Sequence, residues 1–155
     1  MKGYKVFDYN WRCLDMQYTC PGTFEYSNEI ILCQQGFHYS FNLVDCFKYK
    51  SGIKNKIKIA EIKDLNFHNI VKEKTYLNNE LIYLPKIITI KQEKWVTDKI
   101  EIIREISWDE AYDIIVKELP EHLQQLCKDK IEYYNNLSIF TVTLQEYKQK
   151  LLNID

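Results

Sequence analysis

Glycine is scarce in this chain: four residues in 155, at positions 3, 22, 36 and 52. Neither a phosphate-cradling P-loop nor a G-x-G-x-x-G turn can be written with them, which excludes P-loop NTPases and dinucleotide-binding Rossmann domains. Arginine is scarcer still, with Arg12 and Arg104 alone, although its forked guanidinium is the usual reader of phosphate. There is no G-x-S-x-G elbow, no H-E-x-x-H and no C-x-x-C pair, and the three histidines, His38, His68 and His122, are scattered. No run approaches the roughly 20 apolar residues of a membrane span. The first residues, from Met1 to Lys5, lack the apolar stretch and cleavage site of a signal peptide.

Five cysteines, Cys13, Cys20, Cys33, Cys46 and Cys127, are an odd number without paired spacing. Reduced thiols in a cytoplasmic protein are therefore the expectation. Formal net charge is −1, so a general basic field for nonspecific DNA binding is absent. One segment departs from that balance: residues 48–63 hold six lysines against one acid. Lys48, Lys50, Lys54, Lys56 and Lys58 form either a solvated lysine face or a site for phosphate or an acidic protein.

The hydrophobic pattern reads as α+β: a β-rich N-terminal two-thirds (1–106) with one short inserted helix, then a helical C-terminal region (107–155) packed on it as one compact unit. Tyr4 to Tyr9 is aromatic and β-branched, a first strand with Val6 and Tyr4 on its buried face. Further strands are expected over Glu29–Cys33, Phe37–Ser40, Ile57–Ile62, around Phe67 to Val71, and over Ile100–Ile106. Asn78-Asn79 reads as a turn. Pro85 makes Glu80–Leu84 and Lys86–Lys91 either two strands or one edge strand bent at the proline. Asn42 is a good N-cap for a helix over 43–49. Ser107-Trp108-Asp109-Glu110 is a capping box opening a helix over 108–119, in which Trp108, Ala111, Ile115 and Leu119 share a face. Pro120 suits the start of a second helix carrying Leu123, Leu126 or Cys127, and Ile131. Thr143-Leu144-Gln145-Glu146 repeats the capping box before a third.

The segment with most chemical content is Cys33-Gln34-Gln35-Gly36-Phe37-His38-Tyr39-Ser40. A glycine turn followed by an aromatic-His-aromatic strand either places His38 at a cleft or lets it satisfy a backbone group while Phe37 and Tyr39 pack or line a binding surface. A zinc site assembled from Cys20, Cys33 and His38 is the metal alternative to buried free cysteines. No cofactor is implied.

Lys2-Gly3-Tyr4-Lys5-x-Phe7, Trp11-x-Cys13, Gln17-Tyr18, Leu32-Cys33-x-x-Gly36-Phe37-His38, Asp45-x-Phe47 and Lys99-Ile100-x-Ile102-x-Arg104-Glu105-Ile106 together resemble a family of small domains of unknown function found in phages and bacteria. The likeness covers about residues 2–109. It departs at Thr19-Cys20-Pro21-Gly22, where the family usually has a valine-glycine-lysine run, and in the added C-terminal helices. It implies no activity. It implies an origin, hence the expectation of a phage or mobile-element accessory protein that binds a host protein or ribonucleoprotein and inhibits a bacterial defence system. Two alternatives accompany it. A Gly-Tyr-Lys strand, a Gly-Phe-His strand and a late glutamate distantly resemble the plan of ADP-ribosyltransferases, which implies a nucleotide or NAD pocket lined by Tyr4 and His38, with Glu101 or Glu105 polarising the ribose. The other alternative is a structural interaction module.

Overall fold

A computed structural model of the protein describes residues 1–89 and 92–154. The N-terminal part contains β1 (Lys2–Asp8), β2 (Arg12–Cys13), β3 (Met16–Gln17), β4 (Gly22–Glu25), β5 (Ile31–Leu32), β6 (Phe37–Tyr39) and α1 (Leu43–Cys46). Five more strands follow: β7 (Ile57–Asp64), β8 (Ile70–Leu77), β9 (Glu80–Ile87), β10 (Trp95–Thr97) and β11 (Lys99–Glu105). The helices α2 (Trp108–Glu118), α3 (Glu121–Lys128), α4 (Ile131–Asn135) and α5 (Ser138–Leu152) end the chain. The architecture is α+β in the expected order. Among the described residues, no helix is long and apolar enough to cross a membrane.

Four strands form an antiparallel sheet in the order β1-β7-β11-β4. Side chains alternate between the faces of a strand, and here both faces are covered. Val6, Ile57 and Ile59 pack with Leu43, Phe47, Leu137 and the buried residues of α2 to α5, including Ala111, Ile115 and Phe140. On the opposite face Phe7, Ala60, Ile62, Ile100 and Ile102 pack with Tyr18, Leu32, Phe37, Tyr39, Trp95 and Val96. The second core is pinned by a buried carboxylate: Asp64 accepts from Tyr39 Oη at 2.7 Å, Thr97 Oγ1 at 2.6 Å and Asn66 N at 3.0 Å. That cluster fixes the antiparallel pair β6–β10 over the end of β7.

The third sheet, β5-β8-β9, differs in detail from the sequence reading. The strand expected around Phe67 begins at Ile70 and runs to Leu77, because Lys72-Glu73-Lys74 lies on a two-sided, largely solvated ribbon where no alternation is imposed. Asn78 and Asn79 both take positive φ, 50° and 65°, the two-residue hairpin turn that matches strand twist. Of the two options at Pro85, the edge strand is correct: β9 runs through the proline, which sits opposite Lys72. The last two residues of the expected 86–91 segment, Ile90 and Lys91, lie outside the described residues.

Ser107 caps α2 as expected, its Oγ accepting from Glu110 N at 3.2 Å. Glu110 does not complete the box; its carboxylate is paired instead with the guanidinium of Arg104, at 2.7 and 3.0 Å. The expected second helix is broken between α3 and α4, leaving Ile131 exposed and Tyr133 buried in its place. Thr143 does not open a helix, since α5 starts at Ser138; its hydroxyl bonds Tyr133 Oη at 2.8 Å.

The helix expected over 43–49 is regular only over Leu43–Cys46, and Asn42 supplies no side-chain cap. Glu118 at the end of α2 supplies it: Oε1 accepts from Leu43 N at 2.7 Å and Oε2 from Val44 N at 2.9 Å. Burial pushes this carboxyl up to about 7, against the pull of the two N–H groups. A folded-state value raised above 4.5 means the contribution to stability is complete below the unfolded value and is lost as pH rises through about 7. Glu118→Gln should therefore gain on the wild type in thermal midpoint as pH rises from 5 to 8, and a pH-independent difference would contradict this.

Candidate functional site

β1 and β6 touch at a single backbone bridge. Tyr4 N donates to Ser40 O at 2.7 Å and Ser40 N to Tyr4 O at 3.0 Å. The close approach depends on Gly3: a Cβ there would stand 2.7 Å from both Ser40 O and Tyr39 Cδ2. An antiparallel ladder continued from Tyr4–Ser40 would bring Val6 opposite His38. It is not continued. The His38 carbonyl instead accepts from Lys5 Nζ at 2.7 Å, so β6 lifts away from the edge of β1 onto the face that carries Lys5 and Phe7.

The gap so created is a cavity of about 600 Å³. Tyr4, Lys5 and Val6 form one wall, Gly36 to Ser40 another, and the β2–β3 turn with Tyr18, Tyr26, Tyr49, Lys50 and Lys94 completes it. Its volume lies within the range of small-molecule sites, roughly 300–1,000 Å³. Gly36 makes the turn into β6 with φ +104°, and a Cβ would stand 2.9 Å from Ile30 Cγ2 and Val96 Cγ2.

Lys5 is 7% exposed. Burial lowers its pKa, the cations Lys94 and Lys50 add to the lowering, and Cys13 and Cys46 act the other way. Its ammonium has three protons and the His38 carbonyl takes one; Nζ also lies 5.7 Å from the Phe7 ring centroid and 5.9 Å from that of Tyr18. Among the described residues, the cavity wall holds three lysines and one carboxylate, Asp15. Lys50 is paired with Asp8 Oδ1 at 2.7 Å, and Lys94 stands over the Tyr49 ring at 4.2 Å. Cys46 is buried in the cavity wall, its Sγ 3.4 Å from Tyr4 O, and burial pushes the thiol up to about 12; it is no nucleophile at neutral pH.

Tyr4 and His38 share the cavity, as do Phe37, Tyr39, Lys50 and Cys33. Other expectations are corrected. Glu101 and Glu105 are not in its wall; Glu105 binds Lys58 at 2.9 Å on the sheet, so the His–Glu cleft of the ADP-ribosyltransferase plan is not formed. Cys20 is outside the cavity too, and His38 Nε2 is occupied by the Cys33 N–H at 2.7 Å, which removes the zinc arrangement. The lysine face is dispersed: Lys48 pairs with Glu93, Lys54 lies 4.1 Å from the centroid of the Tyr134 ring, Lys58 is paired, and Lys56 is solvated. Phe37 and Tyr39 are 2% and 3% exposed, so they are core side chains that also back the cavity. Lys5 was missed because a lysine in a strand reads as solvent-facing. Its signal was register, since alternation puts it on the same face as Phe7.

Because Nε2 of His38 accepts, the neutral ring must carry its proton on Nδ1. Burial and then Lys94 and Lys5 depress its pKa to about 3, with a hydrogen bond at the Gly36 backbone opposing them. Stability contributed by this ring is complete above about pH 6.5 and is lost as pH falls toward 3. Ring NMR should find His38 neutral and Nδ1-protonated from pH 8 down to pH 5; titration near 6.5 would refute the assignment.

Residues 1–66 match the model of a family described as a domain of unknown function (DUF7666). No curated protein and no solved structure matches the chain. The match includes the Gly3-Tyr4-Lys5 and Gly36-Phe37-His38 segments and stops before Lys99–Ile106. All of the cavity's lining residues except Lys94 fall inside it, so the part of the chain that builds the cavity is the part that matches this family of domains of unknown function.

Proposed function

We propose that the protein is a small-molecule-binding protein and that the space between β1 and β6 is its site. The observation that carries this reading is the interrupted β1–β6 ladder, which leaves a cavity of about 600 Å³ walled by aromatic side chains and a buried lysine rather than a packed core. A nucleotide is within this size class, but nothing in the wall supplies a catalytic glutamate, so binding rather than turnover is the function inferred. Cys13→Trp would fill the mouth from β2. Ligand-observed NMR with a library of compounds of 12–25 heavy atoms should find binders to the wild type that the variant loses. An absence of binders, or binding unchanged by the tryptophan, would contradict the proposal.

A second reading, a phage or mobile-element accessory protein that engages a host macromolecule, is favoured by a different feature. The β8–β9 hairpin exposes Ile70, Tyr76 and Ile87 on one face and Leu77 and Leu84 on the other, each 49% exposed or more, and exposed apolar side chains sharing a face are what interaction sites are built from. It predicts that the macromolecular fraction of a bacterial lysate raises the thermal midpoint of the wild type but not of the Ile70→Ser, Tyr76→Ser, Ile87→Ser triple variant. Equal shifts in both would argue against the hairpin.

A further inference from the structure

The charge of the cavity narrows its ligand. Taking an ammonium out of water is costly unless it is paired, and Lys5 is buried with a single backbone carbonyl as its hydrogen-bond acceptor. Two of its protons have no protein acceptor among the described residues. The groups that face it do not repair this. Cys13 and Cys46 are thiols, the His38 ring is neutral, Lys50 and Lys94 are cations, and Asp15 stands at the rim on the β2–β3 turn. A purely structural site would carry Met or Leu at this position beside the Phe7–Tyr18 ring pair. What the site lacks is a negative charge, and the cavity is open where that charge would go.

We propose that the cavity binds a small organic acid, a carboxylate or phosphate carried on a planar apolar body, with the anionic group on Lys5 Nζ and the planar body against the tyrosines. This rests on the small-molecule reading above and names the ligand class for it. The anion would accept the two free Lys5 protons, charge-assisted bonds of the strong kind, with Lys94 adding attraction from the mouth. Tyr26, half-buried, and Tyr49, exposed, are the tyrosines of the wall that offer apolar surface to the planar body, while Tyr18 and Tyr39 only back the cavity. Binding would also stabilise the protonated amine, so a complex formed at a pH where part of the free Lys5 population is neutral must take up protons.

Calorimetry with matched pairs tests this: 1-naphthoate against 1-naphthamide, and adenosine monophosphate against adenosine. At least one acid should bind the wild type about tenfold or more tightly than its neutral partner, the effect of one hydrogen bond to a charged group. Which pair discriminates separates a carboxylate ligand from a phosphate one. Titration in two buffers of different ionisation enthalpy should show proton uptake. Lys5→Met should abolish the preference while retaining the neutral compound. Lys94→Gln, a change at a partly exposed position, should reduce acid affinity several-fold and serves if Lys5→Met does not fold. Equal binding of acid and neutral partner overturns the ligand class and leaves the cavity reading standing. Binding of neither, in any pair, overturns both. An acid preference undiminished in Lys5→Met or Lys94→Gln removes the lysines from the account.

Discussion

The site rests on one interaction, the hydrogen bond from Lys5 Nζ to the His38 carbonyl. It takes a position that the β1–β6 ladder would otherwise fill, and it lets β6 leave the sheet edge without orphaning that carbonyl inside the protein. Two glycines make the arrangement feasible from opposite sides. Gly3 allows the contact at Tyr4–Ser40, and Gly36 allows the turn that brings His38 back toward Cys33. The Gly-Tyr-Lys and Gly-Phe-His segments, 33 residues apart at Lys5 and His38, are thus two halves of one local structure.

The rest of the fold holds this opening in place from both faces. Asp64 ties Tyr39 and Thr97 to the end of β7, so β6 cannot collapse onto β1. On the other face Glu118 bonds the first two N–H groups of α1, which connects the C-terminal helices to the segment immediately after β6. The helical region therefore acts as a brace for the strand that walls the cavity, although it contributes no lining residue. Thr141 adds to the brace, its Oγ1 donating to Val44 O at 2.8 Å.

What was legible in the sequence was local. β1, the Ser107 cap and the Asn78-Asn79 turn follow from alternation, capping chemistry and left-handed tolerance, each decided within a few residues. What was not legible was decided across the chain. Asn42 looked like the cap of α1, but a carboxylate more than 70 residues away does the work. The lysines of 48–63 looked like a surface field, yet Glu93, Asp8 and Glu105, none of them in that segment, neutralise three of them. Thr143 had the capping pattern but fell inside α5, where packing of Phe140 and Leu137 overrides a local start signal. Half of the site could be read: Tyr4 and His38 were candidates and share the cavity, but the glutamates proposed with them sit elsewhere. Lys5, the residue that decides the chemistry, was hidden because charge in a strand predicts exposure and only the register of β1 shows that both its faces are covered.

The account stands or falls on Lys5 being an ammonium held in a desolvated interior. Its ε-carbon and ζ-nitrogen resonances, assigned by comparison with Lys5→Met, can be followed by NMR through a pH titration of the ligand-free protein. The account predicts a midpoint clearly below the 10.5 of an ordinary lysine, moving upward when a bound acid supplies the missing charge. A midpoint at the ordinary value would mean that water reaches Lys5, and that the cavity has no buried cation with which to select its ligand.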